Sequence, residues 1–370
     1  MILSNSEKFI FKNASLKNVY SPIFFRIKIT EGKTIFSKFF NNLRHPINVY
    51  DEIDSQLQEI IKIKYPAEKK TSEQIQEAIK EHLQDCSKEE YGVWIYYPWS
   101  NNLIHTLDEK EFIELRTNRN LYKITREERD VLAQKKIGVI GMSVGQSVAI
   151  TLAMERGCGE LRLADFDDLE LTNLNRIKSG IENLGVPKVV IAAREIARID
   201  PFIKIKCYLD GIVEDNIDDF LLADGKIDLL VEECDSVNIK ILSRQKARQH
   251  KIPVIMDTND RGMMDVERYD LEPNRPMFHG LVKEITPSDL NQLPAAERLA
   301  YMLTMIDDKK MSKRLGDSIK EIGKTISSYP QLASSVVLGA ALCTDVSRRI
   351  LLNQFQNSGR YYIDVEQLIS

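Results

Sequence analysis

Between Ile137 and Met154 the chain carries no charged side chain, and Lys135 and Lys136 stand immediately before that run. Its length approaches the roughly 20 apolar residues of a membrane span. Gly141, Ser143, Gly145, Gln146, Ser147 and Thr151 interrupt it, however, at spacings that suit a strand, a tight turn and a helix. The run therefore predicts a buried βα unit, with a strand over 136–140 and a helix over 145–156. At such a turn the first amides of the helix point outward, where a phosphate can meet them.

The same alternation continues. Strands are expected over 160–164, 203–208, 228–234 and 253–257, and helices over 187–199, 217–222 and 237–250. Strands that alternate with helices predict an α/β fold, a Rossmann-like mostly parallel sheet with helices on both faces. Uninterrupted apolar runs such as Leu229-Leu230-Val231 fit strands covered on both sides. Beyond residue 280 the chain turns helical and charged, through Lys309-Lys310-Met311-Ser312-Lys313-Arg314. A small-residue helix over 332–342 and a closing strand over 361–365 follow.

The first 114 residues read as a small α+β accessory region of unknown role. Ile53, Leu57, Ile60 and Ile61 share one helical face, and Thr71-Ser72-Glu73-Gln74 has the form of a capping box. Both tryptophans, Trp94 and Trp99, fall in an aromatic run that predicts a core strand. The expected division is 1–114 and 115–370, with a nucleotide-binding core over 135–275 and a helical part with a closing strand over 276–370.

Composition excludes several classes. A hydrophobic share of 43% with 29% charged residues is that of an ordinary globular protein, and a net charge of -4 provides no general pull toward nucleic acid or an anionic membrane. The five cysteines are scattered and form no C-x-x-C pair, which argues against a disulfide framework and a zinc knuckle. The opening MILSNSEKFIFKN lacks the apolar core of a signal peptide. Together these predict a reduced, cytoplasmic protein.

Candidate chemistry gathers at the expected strand ends. In the turn Gly141-Met142-Ser143-Val144-Gly145-Gln146, Ser143 and Gln146 occupy the second and third glycine positions of the dinucleotide fingerprint. Asp165, followed by Asp167 and Asp168, ends the next strand, where a carboxylate can accept from ribose hydroxyls. Arg176 closes Asn173-Leu174-Asn175-Arg176, and Lys188 opens a helix, a place where a lysine is mildly unfavourable unless an anion joins it. Glu232-Glu233-Cys234-Asp235 crowds three carboxylates at one strand end, which requires a cation or hydrogen-bond donors nearby. Magnesium suits such a place, held by one or two carboxylates and by phosphates. The composite points to a nucleoside triphosphate with magnesium.

With these residues on view, the chain resembles the ThiF/MoeB/HesA adenylyltransferase family, which includes the ubiquitin-activating enzymes. The likeness rests on IGVIGMSVGQSVA, LRLADFDDLELTNLNR, GVPK, DLLVEECDSV and IPVIMDTNDRG, covers about residues 115 to 275, and extends weakly over 332–351. More narrowly the chain is similar to a bacterial subgroup whose longer members append a nitroreductase-like domain. The resemblance implies ATP and Mg as cofactors, with Gly141, Ser143, Gly145, Asp167 and Asn173 around the nucleotide and Asp165 on its ribose. It further implies that Arg176 and Lys188 contact the triphosphate, that Asp235 binds magnesium, and that Arg119 enters the partner's site in a homodimer. The implied substrate is a carboxylate, either the C-terminus of a ubiquitin-like protein, a peptide or a small acid, activated as an acyl-adenylate.

Three departures accompany the likeness. Ser143, Val144 and Gln146 stand where the family usually has glycines, the paired-cysteine zinc site is missing, and no cysteine lies between Asp257 and Ser334. Adenylation is thus better supported than thioester transfer. A nicotinamide- or flavin-dependent oxidoreductase would use Gly141 and Asp165 but leave Arg176, Lys188 and Asp235 idle. A dehydratase acting on a tRNA-linked carboxylate fits the same nucleotide site, and a degenerate module that binds nucleotide without turnover remains a further reading.

Overall fold

A computed structural model describes residues 16–43 and 46–369, so the opening residues read above for a leader lie outside the described part. The chain divides into two compact units that meet in sequence between Thr125 and Arg126.

The first unit contains β1 (Ile23–Phe25), α1 (Thr30–Asn41), β2 (Asn48–Asp51), α2 (Ile53–Lys64), α3 (Ser72–Leu83), β3 (Val93–Tyr97), β4 (Asn102–Thr106) and α4 (Glu109–Arg116). The strands form one sheet in the order β1-β3-β4-β2, in which β2 runs parallel to β4 and the other pairs are antiparallel. The four expected apolar residues of α2 are buried, together with Ile79 and Leu83 of α3. Truncating a core side chain such as Leu57 to alanine costs about 2–5 kcal/mol. The capping box forms: Gln74 N donates to Thr71 Oγ1 at 3.3 Å and Thr71 N donates to Gln74 Oε1 at 2.8 Å. The aromatic run becomes β3, where Val93, Ile95 and Tyr97 alternate inward and Trp94 stacks on His105.

The second unit contains α5 (Arg126–Leu132), β5 (Lys136–Ile140), α6 (Gly145–Glu155), β6 (Glu160–Ala164), α7 (Lys188–Ile199), β7 (Lys204–Tyr208), α8 (Ile217–Leu222) and β8 (Leu229–Glu232). It continues through α9 (Val237–Gln249), β9 (Val254–Asp257), β10 (Met263–Glu267), α10 (Pro287–Gln292), α11 (Ala295–Met305), α12 (Lys313–Ile319), α13 (Ala333–Leu351), β11 (Gly359–Tyr362) and α14 (Val365–Ile369). The sheet order is β11-β10-β9-β8-β5-β6-β7; β9 through β7 in that order are parallel, and β10 and β11 add an antiparallel edge. Helices α6, α7 and α13 pack together on one face, and α8 and α9 pack with each other over the other. The uncharged run is this buried βα unit, and no helix among the described residues is long and apolar enough to cross a membrane.

Strand order reverses between β5 and β8: the chain moves outward from β5 to β7, then returns to lay β8 against the other side of β5. Open α/β sheets bind ligands outside the carboxyl ends of strands at such a switch. Here those ends are Ile140-Gly141 and Glu232-Glu233.

Candidate active site

The turn after β5 is set by contact with β8. Gly141 has φ +88, and a Cβ there would come within 2.7 Å of the Glu233 carbonyl group. A side chain is excluded both by the backbone conformation and by the neighbouring strand end. Gly145, opening α6, lies so close to Val139 that a Cβ would meet its side chain at 2.7 Å. No side chain caps the amino end of α6; the Ser147 amide turns back to Val144 O at 2.9 Å, which leaves those of Gly145 and Gln146 as the amides that can meet a ligand.

The two missing fingerprint glycines are used for something else. Gln146 is buried, its Nε2 donates to Lys178 O at 3.2 Å, and its Oε1 accepts from Lys178 N at 2.9 Å. Ser143 Oγ accepts from Arg176 Nε at 2.9 Å. Both side chains thus hold the 176–178 segment against the turn, bringing Arg176 to the amino end of α6. Asn173, also buried, accepts from Glu170 N at 3.0 Å and shapes the short turn Leu171–Asn175 that presents Arg176.

Asp165 bridges two loops. Its Oδ2 accepts from Met142 N at 2.6 Å and its Oδ1 from Asp167 N at 2.8 Å. Burial pushes its carboxyl upward, while those two amides and Lys188 hold it back. Lys188 is only 7% exposed, and its Nζ donates to Asp167 Oδ2 at 2.7 Å. The lysine at a helix start is therefore balanced by Asp167, which is itself half exposed and can exchange that partner for another anion.

The acids after β8 do not act as one cluster. Glu232 is fully buried and accepts from Lys240 at 3.0 Å and Arg244 at 2.6 Å. The donors demanded by the crowding are thus supplied by α9. Glu233 turns inward, accepting from Asp257 N at 2.9 Å, with the Cys343 thiol at 4.0 Å. Asp235 is exposed, and its Oδ1 accepts from the Tyr329 hydroxyl. Among the described residues no three His, Cys, Asp or Glu side chains converge on a possible metal position, so a cation here would rest on Asp235 and on its own ligands.

Arg119 lies in the first unit, exposed on the turn Asn118–Asn120, while the other candidate residues are in the second. The structure adds residues that the sequence does not single out. Asp257 ends β9 as Asp165 follows β6, so its strand-end position was a usable signal. Tyr329 and Gln331 carry none, because they reach the site from far along the chain. All five cysteines are unpaired, and burial with Glu233 and Asp257 nearby pushes the Cys343 thiol up, which makes it inert.

The match to known families decides where the chain belongs. The ThiF family model matches residues 115–341, well over half the chain. The chain belongs to the ThiF family. Within and around this ThiF region it is 42% identical over 277 residues to an uncharacterized protein of Mycobacterium tuberculosis, MT1398, covering 75% of this chain and 38% of that protein. The chain thus spans little more than a third of that relative's length. It is 27% identical over 173 residues to the molybdopterin-synthase adenylyltransferase of Haemophilus influenzae, covering 46% of this chain and 70% of that protein. Among solved structures, the E. coli tRNA N6-threonylcarbamoyladenosine dehydratase in complex with ATP aligns with a TM-score of 0.47 at 18% identity, over 65% of this chain and 95% of that one.

Proposed function

We propose that the second unit binds ATP with magnesium and transfers the adenylyl group to a substrate carboxylate. The observation that supports this most is the arrangement at the strand ends after β5, β6 and β8: uncapped amides of α6, Arg176 held at the same turn, buried Lys188, and exposed Asp235. A nicotinamide dinucleotide needs neither the two cations nor the outer acid. A triphosphate uses all of them.

The residues fit their ligands chemically. The α6 amides and the Arg176 guanidinium suit phosphate oxygens, the latter through paired hydrogen bonds. Lys188 can leave Asp167 for a phosphate of higher charge. Asp235 offers one carboxylate to a hard cation whose remaining ligands are phosphate and water, the usual arrangement for magnesium. Bound there, magnesium would neutralise charge on the phosphate oxygens.

In the reaction, a carboxylate oxygen forms a bond to the α-phosphorus while the bond from that phosphorus to the bridging oxygen breaks. The electron pair leaves with pyrophosphate, and the acyl-adenylate remains. Arg176, Lys188 and the α6 amides stabilise charge and hold the reacting atoms in line. The substrate belongs to the class of ubiquitin-like C-termini, peptides or small acids. The proposed active unit is a homodimer in which exposed Arg119 reaches the partner's triphosphate.

Complementation tests both parts. Asp235→Ala should lower pyrophosphate exchange about a hundredfold or more, from the loss of a metal ligand at developing charge. Arg119→Ala should be similarly impaired. Co-expressed, the two variants form mixed dimers in which one site keeps both residues, so up to about half of normal activity should return. Mixed dimers without recovery contradict action in trans, and wild-type exchange by Asp235→Ala contradicts the metal assignment.

A further inference from the structure

Asp235 stands at the loop between β8 and α9, exposed to solvent. A carboxylate in that position has several rotamers open to it, and a metal ligand must hold one. Something in this structure does hold it. The Tyr329 hydroxyl donates to Asp235 Oδ1, across 94 residues of sequence.

The tyrosine is held in turn. Gln331 Nε2 donates to the Tyr329 oxygen at 3.1 Å. A hydroxyl that accepts from an amide directs its single proton elsewhere, here to Asp235. The backbone carbonyl of Gln331 accepts from Asn175 Nδ2 at 2.8 Å. Asn175 Oδ1 accepts from Arg176 Nη1 at 2.9 Å, and Arg176 Nε donates to Ser143 Oγ.

One chain of hydrogen bonds therefore runs from Asp235 through Tyr329, Gln331 and Asn175 to Arg176 and the glycine turn. It joins the acid beyond β8 to the arginine beyond β6 by way of the segment between α12 and α13. With Oδ1 taken by the phenol, Oδ2 of Asp235 keeps its lone pairs for a cation.

We propose that Tyr329 is a positioning residue for magnesium: it fixes the Asp235 carboxylate with one oxygen presented outward, in register with Arg176. This rests on the adenylation reading above.

The test measures binding of α,β-methylene-ATP by calorimetry, with magnesium and with EDTA, for the wild type, Tyr329→Phe and Asp235→Ala. Tyr329→Phe should weaken binding in magnesium about tenfold, the worth of one hydrogen bond to a charged group, and leave affinity in EDTA within about twofold. Gln331→Ala, which keeps the phenol but removes the donor that directs its proton, should give a smaller loss, about threefold, in the magnesium arm. It also serves as the readout should Tyr329→Phe fail to fold.

Unchanged affinity in magnesium overturns the assignment. Tighter binding in magnesium also overturns it, because the phenol would then be a plug that competes with the cation. Equal weakening in magnesium and EDTA reduces Tyr329 to a structural contact and overturns it as well. If the wild type takes up no nucleotide in either condition, the adenylation reading falls and Tyr329's role with it. If the wild type binds and Asp235→Ala loses the magnesium effect while Tyr329→Phe keeps it, only the positioning role is lost.

Discussion

Glu232 and Asp257 end adjacent parallel strands and are almost equally buried, yet their surroundings treat charge in opposite ways. Glu232 meets Lys240 and Arg244, and Arg244 continues to Glu267 at 2.6 Å. Burial pushes Glu232 up, but Lys240 and Arg244 more than offset it, so the carboxyl sits below its ordinary range. Around Asp257 no donor among the described residues has hydrogen-bond geometry to either oxygen. Burial pushes it up to about 7, with the nearby amides of Thr258 and Asn259 opposing. Glu233 beside it is raised as well, by burial and then by Asp257. One strand end keeps its charge because α9 supplies cations; the next is pushed toward its protonated form by burial, with Gly339 and the Cys343 thiol of α13 beside it. Of the four acids collected at these two strand ends, Asp235 is the one that faces outward.

The largest effect should come from breaking the paired side. Arg244→Ala leaves Glu267 buried without its cation and Glu232 with Lys240 alone, and loss of one partner of a buried ion pair costs about 3–5 kcal/mol. Urea unfolding measures this. A loss below about 1 kcal/mol would mean that water reaches the pair and that burial does not govern it.

Titration separates the two sides next. Glu232 has a depressed folded pKa, so its contribution is present above the unfolded value and is lost as pH falls through the folded one. Asp257 has a raised folded pKa, so its contribution is full below the unfolded value near 4 and is lost as pH rises through about 7. Unfolding free energy should therefore fall between about pH 4 and 7 through Asp257, with the raised Glu233 adding to the fall. Asp257→Asn should flatten that slope while leaving the acid limb in place. An unchanged slope in Asp257→Asn would assign the titration to other groups.

The smallest effect is expected at the thiol beneath the unpaired side. Cys343→Ser nearly conserves volume and puts its hydroxyl beside Glu233 Oε1 as acceptor, so it should change stability by less than about 1.5 kcal/mol, with pyrophosphate exchange retained. Abolished exchange in a folded Cys343→Ser protein would bring back a thioester mechanism.

Legibility in the sequence follows the same division between local and distant physics. The glycine turn, the parallel strands and α2 announce themselves through local apolar patterns, and they form where those patterns fall. β10 does not, because Met263-Met264-Asp265-Val266-Glu267 reads as half charged although all five residues are buried. Its acids are paired with cations from elsewhere in the chain, Asp265 with His279 and Arg360 and Glu267 with Arg244, and Glu267 also accepts from the nearby Tyr269 hydroxyl. The closing strand likewise begins at Gly359, two residues before the expected start, since Arg360 is drawn in to Asp265. Within the candidate site, Arg176 and Lys188 stand out because their neighbours form short motifs. Gln146 shows in the sequence only as a missing glycine; its bond to Lys178 appears once the chain is folded. Tyr329 has no local signature, for its meaning lies in an acid on the other side of α9.

The claim that these strand ends bind a triphosphate and not a dinucleotide can be measured directly. Calorimetry of the full chain should give saturable heat with ATP in magnesium, a weaker response in EDTA, and none with NAD at the same concentration. Asp235→Ala should bring the magnesium curve down to the EDTA one. Tight, saturable binding of NAD with no heat from ATP would contradict the account.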